Sequence, residues 1–133
     1  MKAALGLLLL LAGCATVPPS CPVGAGPATI AEAYFGRNVR GRAPVTQAEW
    51  ARFMEEVVTP AFPDGLTVLD GVGQWRHAAG RISREDSKVL LLVLPGQDPA
   101  AASARLAPVT AAWKARFAQE SVLTVFRAGC AGF

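Results

Sequence analysis

The sequence predicts an α+β fold with one four-stranded antiparallel sheet and two helices on the same face of that sheet. Two stretches carry helix-starting residues followed by an apolar face at helical spacing. Four other stretches alternate between apolar and polar residues or are continuously apolar, as strands are. Their order is strand, helix, strand, strand, helix, strand, which is the ferredoxin-like βαββαβ arrangement. Right-handed crossovers exclude most other arrangements of these elements.

The first strand and the first helix have local signals in the sequence. The strand is predicted at Ile30–Phe35, where apolar residues alternate imperfectly with others. A capping box starts the helix, because the Thr46 hydroxyl can accept from the amide of Glu49 while the Glu49 carboxylate accepts from the amide of Thr46. Apolar residues then follow at helical spacing over residues 50–58, and Pro60 is expected to end the helix.

The middle of the chain predicts two strands joined by a connection. Leu66–Trp75 is predicted as a strand, in which Gly71 and Gly73 indicate bulges or a bend. Residues 78–86 are polar and are predicted to form the connection. Residues 89–94 are continuously apolar, as in a strand that is buried on both faces or lies in the middle of a sheet.

The last helix and strand follow a proline and a glycine at residues 95 and 96. Asp98 and Pro99 are typical of a helix start, and Trp113 belongs to the apolar face that follows. We expect Trp113, like Trp50, to lie in the core. Pro108 is expected to kink the second helix or to mark its true start. Ser121–Arg127 alternates as a final strand does.

The first residues indicate export and a lipid anchor. A positive start, Met1-Lys2, precedes an apolar stretch over residues 3–11, which is too short to span a membrane. The motif Leu11-Ala12-Gly13-Cys14 resembles the lipobox of bacterial lipoproteins. We therefore expect residues 1–13 to be removed and Cys14 to carry the lipid, which anchors the protein in a membrane. Ala15 favours the outer membrane, facing the periplasm.

The remaining chain is expected to contain a tether and one domain. Residues 14–28 are rich in proline and glycine, and residues 29–133 are enough for a single α+β domain. Cys21 and Cys130 then form an even pair in an oxidising compartment, and the predicted fold places the two chain ends close together. The alternatives are two free thiols or a metal site. A metal ion needs more ligands, and His77 is the chain's one histidine, so a disulfide is favoured.

Charge and motif content restrict the function class. The net charge of +3 is modest and the basic residues are scattered, which does not favour nucleic acid as a partner. The glycines at residues 71 and 73 do not open a helix, so that a phosphate-binding loop is not indicated. We expect no cofactor and no metal.

Five segments of the chain form a distinctive combination: Tyr34–Gly36, Thr46–Trp50, Phe62–Gly71, Gly73–Trp75 and Glu85–Leu92. This combination resembles a bacterial family catalogued as domain of unknown function 3574. The resemblance covers residues from about Ala31 to Phe133. Members resemble small secreted proteins or lipoproteins, which agrees with the leader. The resemblance implies no established activity, and no catalytic residue is transferred.

Two function hypotheses follow. The first is a binding module of the cell envelope, whose ligand-binding surface is the sheet face away from the helices and whose partner is a second copy, an envelope protein or a ligand. Its candidate residues are Tyr34, Arg37, Gln74, Trp75, Arg76, Glu85 and Lys88.

The alternative hypothesis is a small cofactor-free enzyme of the dimeric α/β-barrel type. A carboxylate and a lysine in one pocket would perform acid–base chemistry, and a neutral histidine is suited to the same work. An exposed loop position is the simpler interpretation of the histidine. The candidate residues are Tyr34, Arg76, His77, Glu85 and Lys88.

Overall fold

The computed structural model describes residues 20–76 and 79–133, without the side chain of Trp75. The predicted leader, the lipidation site Cys14 and the histidine His77 lie outside these residues. The elements are, in chain order, strand β1 (Gly26–Gly36), helix α1 (Gln47–Phe53), a π-helical segment (Met54–Val58), short helix α2 (Thr59–Ala61), strand β2 (Thr67–Arg76), strand β3 (Ile82–Pro95), helix α3 (Pro99–Phe117) and strand β4 (Leu123–Ala131).

The strands form one four-stranded sheet in the order β2-β3-β1-β4, and each neighbouring pair is antiparallel. The long strand β3 and strand β1 therefore occupy the centre, and β2 and β4 lie at the edges. The predicted α+β class and the four-stranded antiparallel sheet are confirmed.

The first helix begins as predicted. The Thr46 hydroxyl accepts from the Glu49 amide at 3.2 Å, and the Glu49 carboxylate accepts from the Thr46 amide at 2.8 Å. The helical path continues beyond the expected end, because Pro60 lies inside α2. The Thr59 amide donates to the carbonyl of Met54, five residues earlier, so the hydrogen-bond pattern has already shifted where proline lacks a donor.

The β2–β3 hairpin differs from prediction in two respects. Strand β3 starts at Ile82, so residues 82–86, predicted as a connection, belong to a strand that pairs with β2. The register pairs β2 with β3 one to one, so the bulges predicted at Gly71 and Gly73 are absent. A Cβ at Gly71 would lie 3.1 Å from the Ser87 hydroxyl oxygen, so this glycine permits a close cross-strand approach.

Helix α3 starts at its predicted cap. The Asp98 carboxylate accepts from the amide of Ala101 at 2.7 Å, and Pro99 is the first helical residue. Pro108 lies within the helix and does not mark its start. Burial of Leu106 and Val109 on either side keeps the helix on the sheet although one backbone donor is missing. Among the described helices, none has the length and apolar character needed to cross a membrane.

An aromatic cluster joins both helical stretches to the sheet. Phe35 of β1 contacts Trp50 of α1, with ring centroids 5.6 Å apart, and Trp113 of α3, at 5.1 Å. Both stretches therefore cover the same face. The predicted core positions of the two tryptophans are confirmed, since Trp50 is 3% and Trp113 0% exposed.

The disulfide between Cys21 and Cys130 is present in the structure. Its position differs from prediction in one respect. Cys130 lies inside β4, opposite Pro27, instead of after the last strand. Strand β1 begins at Gly26, so residues 26–28 of the predicted tether are part of the sheet. The bond thus joins the segment before β1 to the end of its neighbouring strand β4.

Candidate functional site

The two faces of the sheet have different surroundings. On β1, Ala31, Ala33 and Phe35 point to the helices and are fully buried. The alternate residues Glu32 and Tyr34 point to the opposite side and are half-buried. We call the helix side the covered face and the opposite side the bare face.

The bare face is rich in apolar side chains. Exposed fractions are 52% for Leu69 on β2, 38% for Val93 on β3 and 61% for Leu123 on β4. Ile30 and Leu91, between them, are half-buried. Apolar surface therefore extends across all four strands, on the face against which no described helix packs its buried residues.

A polar cluster lies within this apolar surface. The Tyr34 hydroxyl donates to one Glu32 carboxylate oxygen at 2.6 Å, and the Arg127 guanidinium contacts the other. Arg127 is the diagonal neighbour of Glu32, which pairs with Val125 in the ladder. The Glu32 side chain is 16% exposed, against 58% for Arg127.

The contacts in this cluster shift two pKa values. The hydrogen bond from Tyr34, followed by that from Arg127, lowers the pKa of Glu32 below its usual value. Donation to the same carboxylate raises the pKa of Tyr34, because deprotonation would end the hydrogen bond and place two negative charges together. Tyr34 was predicted on this face and lies there. Glu32 and Arg127 were not predicted, and the one local signal was an acid two residues before the tyrosine.

Glu85 and Lys88 do not meet. Because they are three residues apart on β3, they point to opposite faces. The Glu85 carboxylate accepts from the amide of Asn38 at 2.8 Å, near the end of β1. The Lys88 ammonium lies on the covered side, with 6% of the side chain exposed, and contacts the carboxylate of Asp70. A lysine–carboxylate pair is therefore present, but its acid is Asp70.

Arg37, one residue beyond the end of β1, is not part of the Tyr34 cluster. Its Nε donates to the carbonyl of Val45 at 2.7 Å, and its side chain lines a cavity that Lys88 also lines. The sequence interpretation that placed Arg37 with Tyr34 on one binding surface is therefore wrong.

The hairpin residues are also divided. Gln74 and Arg76 share the side of β2 that carries Asp70. The prediction that placed them on the bare face is therefore wrong. Trp75 pairs with Ser83 in the ladder; its side chain is outside the described part of the chain. Of the five residues predicted for acid–base chemistry, His77 lies outside the described residues, and the other four are divided between the two faces of the sheet.

Two cavities lie at opposite ends of the sheet. The larger, of about 550 Å³, is mainly apolar and lies where β3 extends beyond β2; the bare-face residues Thr67, Leu91 and Val93 line it. The smaller, of about 370 Å³, holds Arg37 and Lys88. Within residues 20–76 and 79–133, no group of three or more His, Cys, Asp or Glu side chains is placed to hold a metal ion.

Comparison with known proteins gives one family and one shared fold. Residues 31–133 match the family described as Protein of unknown function (DUF3574). No match was found among curated proteins.

Two solved structures have a similar fold. A phage SAM lyase in complex with S-methyl-5'-thioadenosine has a TM-score of 0.58 and 16% identity, over 81% of this chain and 92% of that chain. A phage SAM lyase in the apo state has a TM-score of 0.55 and 13% identity, over 88% of this chain and 97% of that one. At these identities the likeness is one of fold, which does not carry an activity with it.

Proposed function

The chain belongs to the DUF3574 family of proteins of unknown function, and we propose that it is an envelope lipoprotein acting as a binding module. Its partner is a second copy of the chain, which docks on the bare face. The observation that carries the proposal is the apolar surface formed there by residues from all four strands, including Leu69, Val93 and Leu123. Large exposed apolar patches on soluble domains mark interaction sites.

The charge of the bare face favours a second copy as the occupant. Glu32, the acid in its centre, is paired with Arg127 and Tyr34 on the same face. Two identical copies therefore bring together apolar side chains and a central cluster in which the Glu32 charge is already paired within each copy. Two sheets can stack face to face at about 10 Å, and a two-fold axis makes such a contact self-complementary.

The test is the oligomeric state of matched variants. Sedimentation of the detergent-solubilised full protein is expected to show a dimer, and Leu69→Asp should convert it to a monomer. Ile82→Asp is the control, because Ile82 is also 52% exposed but lies on the other side of the hairpin. A monomeric wild-type protein, or equal behaviour of the two variants, would contradict the proposal.

We also propose cleavage before Cys14, lipidation of that residue and anchoring to the outer membrane on the periplasmic side. The disulfide supports an oxidising compartment. Nucleic acid is not among the proposed partners. Mass spectrometry of the membrane fraction should find a diacylated Cys14 as the first residue, and Cys14→Ala should remove the lipid and the membrane association. An unmodified Cys14 would refute the anchor without affecting the dimer proposal.

For the fold itself, we propose the ferredoxin-like βαββαβ arrangement. Its support is the strand order β2-β3-β1-β4, together with a helical stretch after β1 and another after β3. In this arrangement the helices occupy one side of the sheet and leave the other available, as the dimer proposal requires.

A further inference from the structure

A polar cavity of about 370 Å³ lies on the covered side of the hairpin, away from the proposed dimer surface. We call it the Lys88 pocket. Its volume lies in the range of small-molecule sites. Its walls come from the end of β1, the start of α1 and the middle of the β2–β3 hairpin, and the lining residues are Arg37, Gln47, Asp70, Gly71, Val72, Asp86, Ser87 and Lys88.

Lys88 is an unusual residue for its position. It follows the covered-face row of Leu90 and Leu92 on β3 and is itself 4% exposed. Burial of an ammonium group is unfavourable unless the charge is paired. The contacting acid, Asp70, has a side chain that is 79% exposed, so water weakens its attraction for the lysine. An ammonium group has three N–H donors, and among the described residues the acceptor in contact with Lys88 is the Asp70 carboxylate.

Arg37 provides a second cation, and its geometry is fixed. Its Nε donates to the Val45 carbonyl at 2.7 Å. Its own amide donates to the Asp86 carbonyl at 3.0 Å, and its carbonyl accepts from the Val45 amide at 2.8 Å. The guanidinium is thus held in the cavity wall while its terminal nitrogens have no acceptor among the described residues. Guanidinium groups in this state are suited to bidentate recognition of a carboxylate.

Two acids restrict the ligand further. Asp70 and Asp86 line the same cavity as the two cations, so the charges of the lining residues balance. A dianion would be repelled by Asp86, and a simple amine would be repelled by Arg37 and Lys88. A ligand with one negative and one positive group can satisfy both sides. Val72, 72% exposed, supplies an apolar contact at the rim.

We propose that the Lys88 pocket binds a small zwitterion of the amino-acid class. The ligand carboxylate lies between the guanidinium of Arg37 and the ammonium of Lys88. The ligand ammonium faces Asp86, and an aliphatic side chain lies against Val72. This site is independent of the bare face, so either proposal can fail while the other holds.

Binding is tested by titrating the full protein with the common amino acids and following backbone amide resonances by NMR. L-leucine, isocaproate and isopentylamine form a matched set, because the second lacks the ammonium and the third lacks the carboxylate. We expect zwitterions to shift the amides of the pocket, isocaproate to bind more weakly, and isopentylamine not to bind. The proposal is overturned if no amino acid shifts these amides, or if isocaproate binds as tightly as leucine.

Variants assign the roles of the charged groups. Lys88→Met should lower the affinity for leucine by roughly tenfold to a hundredfold, since it removes a hydrogen bond between charged groups. Lys114→Met, at an exposed position of α3, is the matched control and should change nothing. Asp86→Asn is a second variant for the case that Lys88→Met does not fold. Asp86 is exposed, so we expect this substitution to keep the fold. It should bring the affinities for leucine and isocaproate together, and an unchanged ratio would overturn the assignment of the ligand ammonium.

Discussion

The two faces of strand β1 use alternate residues of one short segment for different purposes. Phe35 on the covered face is fully buried among aromatic rings from both helical stretches, whereas Tyr34 on the bare face is half-buried and hydrogen-bonded to Glu32. The covered face supplies the burial that stabilises the fold. The bare face keeps apolar surface that folding does not need to bury, which is why we assign it to a partner.

The same contrast extends along β3, and Lys88 marks where it changes. Leu90 and Leu92 continue the buried row under the helices. The next residue of this row toward the turn of the β2–β3 hairpin is Lys88, and there a polar cavity lies in place of the core. The covered face is therefore a core at one end and a candidate ligand site at the other.

The largest expected effect comes from breaking the contrast at Phe35. Phe35→Ala should lower the free energy of unfolding by about 3–5 kcal/mol, because it empties a site at the centre of the aromatic cluster. Tyr34→Ala, one residue away, should cost only about 1 kcal/mol, since it removes a hydrogen bond at a half-exposed position. Urea unfolding of both variants measures the difference. Equal losses would show that the bare face is as important for the stability of the monomer as the core.

The next effect concerns the edge strand β4, which the covered face holds less firmly. Its Phe126 packs against the core but is only half-buried, so the disulfide between Cys21 and Cys130 is expected to carry more of the attachment. The double variant Cys21→Ala/Cys130→Ala should lose about 2–5 kcal/mol of unfolding free energy. Hydrogen exchange should show the loss first in β4 amides. Protection lost equally in the central strand β3 would contradict this division.

Local signals allowed much of the covered face to be predicted. The capping box at Thr46, the cap at Asp98 and the apolar run over residues 89–94 each depend on a few neighbouring residues, and each lies where predicted. The disulfide also followed from counting cysteines. These features depend on chemistry within a few positions, or on a pair with no competitors.

The features missed from the sequence depend on distant partners. Residues 82–86 form a strand although all but Ile82 are polar, because the pairing with β2 supplies their hydrogen bonds. Glu32 gains its role from Arg127, which is 95 positions away. Glu85 and Lys88 were close in sequence but lie on opposite faces, since a separation of three residues in a strand reverses the side.

A smaller effect tests how firmly the first helix covers the sheet. Thr46→Ala removes the acceptor for the Glu49 amide and should cost about 1 kcal/mol in thermal or urea unfolding. Thr110→Ala within α3 is the matched control. The Thr110 hydroxyl donates to the Ala107 carbonyl in the interior of the helix and does not cap a helix end. The control should stay close to wild type, because alanine is the better helix former. A loss at Thr110 as large as that at Thr46 would show that capping has no special weight here.

The finest test concerns the polar cluster of the bare face. Tyr34 is the one tyrosine of the chain, so ultraviolet absorbance reports its titration without overlap from other tyrosines. Because Tyr34 donates to the Glu32 carboxylate, its pKa is raised above the ordinary value of about 10. In Glu32→Gln the acceptor is neutral, and the Arg127 guanidinium no longer has its carboxylate partner. Both changes favour the phenolate, so the tyrosine should titrate at lower pH than in wild type.

The control for this titration is Glu120→Gln, which removes an acid paired with Arg40 at an exposed position. Its tyrosine should titrate as in wild type, because Glu120 does not contact Tyr34. A titration that is unchanged in Glu32→Gln would mean that the hydroxyl does not donate to this carboxylate, and that Arg127 alone balances the Glu32 charge on the bare face. Self-association would then depend on that one ion pair to prevent the repulsion of two such acids across the interface. Without the ion pair, a partner with a complementary basic surface would be the better occupant of the bare face.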